Sequence, residues 1–288
     1  MNLTNLLGTV QQGNVIDQND DYYFVSIAGH TFQVDKKHVL DPKQVISGYL
    51  YENKAHNLVL TPDIPNVGIG RYGWGQVVDI RSDLGVFVNI GLADKDLVVS
   101  LDDLPEIKSL WPKKGDRLLL AVKLDHKDRM WGQLADANIF QQLSRQPQKT
   151  LQNKNVKATV YQLKMNGTFV LTNDYYLGFI HPSEREREPR LGEVVSGRVV
   201  GLSFNRVNLS LKPRGYEEIS DDAAMILAVL QHQPNKSLNF NDKSQPEDIK
   251  RYFGISKSSF KRALGNLLKR NLIVQDKTGI KLIETASD

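Results

Sequence analysis

Three stretches of this chain repeat one pattern, and that repetition narrows the fold more than any other feature. Each stretch holds five short segments in which apolar and polar residues alternate, the two-residue period of a half-buried β-strand. In the second stretch they fall at residues 75–80, 85–90, 97–99, 115–124 and 129–134, and in the third at 156–163, 167–171, 178–183, 191–195 and 206–211. The first stretch is the weakest copy, with segments at 8–10, 22–27, 31–34, 48–51 and 58–60. Glycines recur at the segment starts (Gly75, Gly85, Gly167, Gly178). Closing a small sheet on itself bends its strands sharply, and glycine relieves the crowding at those bends.

Five strands in a block of this length predict an OB-type barrel, so three barrels are expected at residues 1–63, 66–145 and 153–214, joined by spacers at 62–65 and 146–155. After Gly215 the apolar period changes from 2 to 3.6. Residues 221–231 form one amphipathic helix, stopped by Pro234, and Pro246 opens a second that Gly254 ends. Ser256 caps a third over 257–270, whose apolar face is Phe260, Ala263, Leu264, Leu267 and Leu268. A strand pair at 272–275 and 280–283 follows. Three helices and a hairpin over 218–288 predict a winged helix, so the whole is read as mainly β, three tandem five-stranded OB-fold barrels followed by an α+β winged-helix domain.

Charge is distributed unevenly. The net charge is only +4, but residues 151–216 carry 10 Lys+Arg against 5 Asp+Glu, and residues 250–281 carry nine bases and one acid, Asp276. Residues 1–65 are acidic, with 4 bases against 7 acids. Two basic regions in the C-terminal half point to a polyanionic partner.

The third stretch contains Gly178-Phe179-Ile180-His181-Pro182-Ser183 and Gly167-Thr168-Phe169-Val170; the second contains Gly85-Val86-Phe87-Val88 and Val122-Lys123-Leu124-Asp125 followed by Arg129. These resemble the Gly-Leu-Val-His-x-Ser and Gly-Ala-Phe-Val elements of the S1 RNA-binding domain. Three such S1-type barrels and a winged helix in this order resemble the conserved virulence factor B family of Gram-positive bacteria. The resemblance implies a cytoplasmic RNA-binding protein acting on gene expression after transcription. The family's first stacking aromatic is replaced by Leu84 and Asn166, the histidine position of the second block falls near Val99, and the first block shows no Gly-x-Phe-Val or His-x-Ser element. The third barrel is therefore ranked best equipped, the second partial and the first structural.

Rings stack on the exposed bases of single strands and cations displace phosphate counterions. The candidate RNA-binding residues are accordingly Phe87, Lys123, Arg129, Phe169, His181, Arg198 and Arg206, the four bases being read as two pairs at repeated positions. Alternation alone does not say whether Phe87 and Phe169 point outward or into the barrels. Tyr175 and Tyr176 are further rings on a neighbouring loop, and the run 184–188 reads as a self-neutralising solvated loop. In the winged helix, Lys257, Lys261, Arg262, Lys269, Arg270 and Lys277 are the expected nucleic-acid contacts, suited to backbone rather than base recognition.

Several chemistries are excluded on the residues. With no cysteine there are no disulfides or thiolate sites, which fits a reducing compartment. No apolar run reaches membrane-spanning length, and the first 25 residues lack a secretory pattern. The sequence Gly68-Ile69-Gly70-Arg71-Tyr72-Gly73 spells a dinucleotide fingerprint but is followed by an alternating strand rather than a helix. No histidine pairing suits a metal and no nucleophile, base and oxyanion donors assemble, so no catalytic residue, metal or cofactor is expected. The expected partner is single-stranded RNA, held by a monomer without membrane contact. Two rivals stay open: duplex DNA bound by the winged helix, and an adaptor docking on the ribosome or RNA polymerase.

Overall fold

The computed structural model describes residues 3–38, 45–212 and 221–283; Pro213 and Gly215, at the change of period, lie outside them. The chain divides into two compact units, Met1–Lys212 and Pro213–Asp288. The first holds three closed barrels. Barrel one is β1 (Val10–Gln18), β2 (Tyr22–Ile27), β3 (His30–Asp35), β4 (Ile46–Glu52) and β5 (Leu58–Thr61). Barrel two is β6 (Gly73–Arg81), β7 (Gly85–Asn89), β8 (Leu97–Ser100), β9 (Arg117–Leu124) and β10 (Met130–Leu134). Barrel three is β11 (Asn155–Lys164), β12 (Gly167–Thr172), β13 (Leu177–Ile180), β14 (Val194–Ser203) and β15 (Arg206–Ser210). In each the third strand pairs with the fifth in parallel and the first with the fourth, which closes the sheet. The mainly-β reading is what the structure shows, with one helix unforeseen: α1 (Ala137–Leu143), capped by the Asp136 carboxylate accepting from Ile139 N–H at 3.0 Å.

A bulge falls at the same place in all three first strands, between Val15 and Asp17, Val77 and Asp79, and Val160 and Gln162. Each sits opposite a Phe-Val pair: Phe24-Val25, Phe87-Val88 and Phe169-Val170. The valines are buried and the phenylalanines half-exposed. Barrel one therefore carries a Phe-Val pair in the same register, but with Tyr22 where the others have glycine, so the full Gly-x-Phe-Val element is absent from it.

The barrels are joined by more than spacers. Tyr49 and Tyr51 of β4 pack into the core of barrel two, and the Tyr51 hydroxyl donates to Asp94 at 2.7 Å. Burial pushes the Tyr51 phenol pKa up, with the Asp94 carboxylate adding to the shift. The run 184–188 is a solvated loop only in part: Glu186 and Arg187 are exposed. Arg185 is mostly buried, donating to the Thr168 hydroxyl and to Glu188 at 3.0 Å, and Arg187 pairs with Glu193. Just beyond, Arg190 reaches back to barrel two and grips Asp116 through Nε and Nη2, both at 3.2 Å. The Gly-rich segment 68–73 is a turn leading into β6, with Ile69 N–H donating to Gly8 O at 3.0 Å.

The second unit contains α2 (Asp221–His232), β16 (Ser237–Leu238), α3 (Pro246–Phe253), α4 (Lys257–Lys269), β17 (Ile273–Gln275) and β18 (Ile280–Leu282). Ser256 caps α4 as expected, its hydroxyl accepting from Ser259 N–H at 3.1 Å. The added strand β16 pairs with β18 and completes a three-stranded wing sheet. Its core (Ile226, Leu230, Ile249, Phe253, Phe260, Leu264, Leu267, Ile273, Ile280) comes from this unit alone among the described residues.

Candidate nucleic-acid interface

The shared bulge gives a register for comparing the barrels. On β12 the buried alternates, Thr168 and Val170, send Phe169 to the outer face, and directly across on β13 Gly178 and Ile180 do the same for Phe179. The two rings meet edge to face with centroids 5.3 Å apart. Tyr161, the extra residue of the bulge, stands 6.3 Å from Phe169, and His181 stands 6.4 Å from Phe179. Barrel three thus presents four neighbouring rings on one side of its sheet. Arg206 and Lys164 hold their charges 5.8 and 5.4 Å from the Phe169 ring, within cation–π reach. Burial raises the Tyr161 pKa, partly offset by the nearby Arg206 charge, so its hydroxyl stays neutral.

Two hairpin tips flank this face. Met165, next to Lys164, is fully exposed, and Phe204, two residues before Arg206, is 88% exposed. They belong to the β11–β12 and β14–β15 turns, the loops with which OB barrels grip oligonucleotides. His181 is exposed but also structural: its Nδ1 accepts from Ser183 N–H at 3.2 Å and caps a single 3-10 turn.

In barrel two the Tyr161 position is Val78, the Phe179 position is Val98 and the His181 position is Ser100 rather than Val99, which is buried. Phe87 remains on the outer face. A second ring comes from the fifth strand instead: Trp131 pairs with Val98, where barrel three has Asn208 against Phe179. Trp131 lies in a depression of about 300 Å³ with Lys123 and His126, under the Arg129 guanidinium at 5.7 Å. Arg129 is bound to Asp125 at 2.7 Å. Desolvation of that carboxylate opposes its ionisation, but donors from Arg129, Lys127 and Trp131 outweigh it and hold Asp125 well below the usual carboxylate range. In barrel one the corresponding outer positions are Ile16, Phe24, Gln33, Asp35 and Val59, one ring at those five places, with Tyr22 as a second ring where the other barrels have glycine.

The register also divides the four predicted bases. Arg129 and Arg206 are equivalent, each two residues before the paired fifth-strand residue. Lys123 and Arg198 are not: Lys123 pairs with Trp131, whereas Gly201 is opposite Asn208. Arg198 pairs with Asn155 and Ser210, at the far end of the β14–β15 ladder from Arg206. It lies beyond the bulge between Val199 and Gly201, which offsets the register by one residue. Tyr175 and Tyr176 are not on the ring face either; Tyr175 packs with Phe140 and Trp74. The rings missed by the sequence reading are Tyr161, Phe179 and Trp131. Phe179 had a signal in the alternation Gly178-Phe179-Ile180, while Tyr161 needed the bulge.

In the second unit Lys261, Arg262, Lys269 and Arg270 are exposed at α4 and its C-terminal end, Lys257 is half-buried at its start, and Lys277 is exposed in the wing turn. Arg262 donates to the Ser259 hydroxyl at 3.2 Å. Among the described residues no cluster of three acidic or histidine side chains could hold a metal, and no helix is long and apolar enough to cross a membrane.

Tandem S1-like barrels with an outward ring face, followed by a basic winged helix, define a nucleic-acid-binding class of protein. Comparison with known proteins gives the family. Consecutive regions match family models for the CvfB first S1-like domain (residues 72–133), the virulence regulatory factor CvfB second domain (140–213) and the CvfB-like winged helix domain (224–282). The uncharacterized protein YitL of Bacillus subtilis (strain 168) is 38% identical over 266 residues, covering 91% of this chain and 89% of its own. Conserved virulence factor B of Staphylococcus epidermidis is 32% identical over 276 residues, covering 93% and 92%. A Streptococcus pneumoniae crystal structure, described as a multidomain protein with nucleic acid binding domains, shares 46% identity with a TM-score of 0.72 over 97% of this chain and 99% of its own. The chain belongs to the conserved virulence factor B family.

Proposed function

We propose that this protein binds single-stranded RNA, chiefly on the outer face of barrel three, and acts in the cytoplasm as a non-catalytic regulator of gene expression after transcription. The observation that carries the reading is the half-exposed pair Phe169–Phe179, extended by Tyr161 and His181 and overlaid by Lys164 and Arg206. Unpaired bases need flat apolar platforms and their phosphates need nearby cations; duplexes offer no free base faces to such a wall. A site built of rings and bases suits holding a strand rather than cleaving it. Phe204 and Met165 are placed to close over a strand from either side.

The exposed cations of α4 and the wing favour a second nucleic-acid contact through the phosphate backbone. Competition for one labelled single strand, between unstructured RNA and duplex DNA at a fixed salt concentration, separates the two modes. RNA should displace the label at far lower concentration. Displacement by duplex DNA at equal or lower concentration would shift the function to the winged helix.

A further inference from the structure

The row of rings continues past the edge of barrel three. Tyr161 stacks on Phe140 of α1 with centroids 4.0 Å apart and planes 17° apart, and Phe140 meets Trp74 of β6 edge-on at 6.4 Å. Tyr161 therefore belongs both to the outer face and to the wall of a cleft of about 250 Å³ between barrels two and three. Trp74 and Arg117 of β9 also line it, the guanidinium 4.9 Å from the indole. Gln162 and Asp103 bring polar groups to the same cleft. Phe140 is 2% exposed and welds the two barrels together, but welding alone calls for close packing, not for an open slot beside half-exposed Trp74 and Arg117.

We propose that the cleft is a nucleobase subsite: a strand crossing Phe179, Phe169 and Tyr161 places its next base in the cleft, past the Tyr161–Phe140 stack and against the Arg117–Trp74 pair. The inference rests on the single-strand reading of barrel three. The cleft is smaller than the roughly 300–1,000 Å³ of pockets for drug-sized ligands; its lining is mostly aliphatic, with leucines among the rings of Trp74, Phe140 and Tyr161 and the Arg117 guanidinium, an apolar slot of a size for one heterocycle. Guanidinium planes and aromatic rings both stack bases. The Gln162 amide can donate and accept, and the Asp103 carboxylate accepts from a base N–H while repelling phosphate, so the base rather than the backbone enters. Arg117 supplies the counter-charge for the adjoining phosphate. The subsite would steer the strand from barrel three towards barrel two.

The test labels the full chain with 5-fluorotryptophan, giving fluorine NMR signals for its three tryptophans, and assigns Trp74 by its loss in Trp74→Phe. Two oligoadenylates are compared, one of about 4 nucleotides, the short end of a single barrel's site, and one of about 12. The longer should shift the Trp74 signal on the same isotherm as its binding measured by anisotropy; the shorter should bind and leave Trp74 unmoved. Arg117→Ala should weaken the longer oligomer about tenfold, within the range for one stacked base, and leave the shorter unchanged. Binding of the longer oligomer with Trp74 unmoved, or equal losses for both lengths, overturns the subsite alone. Binding of neither oligomer overturns the single-strand reading and the subsite with it.

Discussion

Phe24, Phe87 and Phe169 occupy one register position in three barrels, yet their surroundings decide what each can do. Phe169 has Phe179 across the strand pair and two cations overhead; Phe24 has Gln33 there and Asp35 two residues on. Phe179→Ala should therefore weaken binding of single-stranded RNA by the value of one stacked base, about 1–3 kcal/mol, and Phe24→Ala should leave it unchanged in the same filter-binding or anisotropy titration. Equal losses would abolish the ranking of the barrels. Glu193 makes a different prediction. Its side chain is 12% exposed; desolvation raises its pKa, but Arg187 and the Arg190 backbone and side chain lower it further, so the net shift is downward. A carboxylate with a depressed folded pKa adds stability that is present above its unfolded pKa and lost as pH falls through the folded one. The stability gap between the wild type and Glu193→Gln, measured by urea unfolding, should accordingly be widest near neutral pH and shrink below the usual carboxylate range.

At the scale of elements, the ring face depends on a glycine. Gly167 has φ +149°, and a Cβ there would come within 2.5 Å of the Phe179 ring and 2.7 Å of Ile180 O. Gly85 starts β7 in the same way, with Val99 O 2.0 Å from where its Cβ would be. The glycine of the Gly-x-Phe-Val element thus lets the neighbouring strand lie close and keeps the next ring flat against the sheet. Gly167→Ala should lower stability by more than about 1 kcal/mol and also weaken RNA binding, because Phe179 must move. Chemical denaturation and the binding titration, run on the same sample, check both. Unchanged affinity in a destabilised variant would show that Phe179 does not need its present position.

For the whole molecule, charge and cores act separately. Counterion release gives single-strand binding a slope of about −0.7 in log affinity against log salt for each phosphate neutralised. Lys164→Ala with Arg206→Ala should reduce that slope by about 1.4; an unaltered slope means these cations do not meet phosphate. The winged-helix core draws on its own unit among the described residues, and the three tryptophans, Trp74, Trp111 and Trp131, all lie in the other. Phe260, fully buried, would leave a cavity costing about 3–5 kcal/mol on truncation to alanine, most of the stability of a small domain. Phe260→Ala should abolish the helical unfolding transition of the C-terminal unit and leave the tryptophan-detected transition of the barrels in place. A common shift of both would show the two units to be coupled.

Strand alternation, glycine spacing and the change of period after residue 215 were enough to read three barrels and a winged helix, because these depend on local periodicity and on one buried face per strand. The Phe-Val and Gly-x-x-His stretches marked Phe169 and His181 in the sequence, but their direction came from the fold: buried Val170 and Ile180 leave Phe169 on the outer face and His181 at the strand end. Which side chains meet across strands was decided only by the fold. The bulges turned Tyr161 into a member of the ring face and aligned Phe24 with Phe169 despite its different neighbours, and the pairing register set Arg198 and Arg206 at opposite ends of one ladder. The Arg190–Asp116 grip joins residues far apart in the chain, and the cleft under Tyr161 exists only where two barrels touch. Such contacts arise from register and docking between distant segments, and no local period in the amino-acid order encodes them.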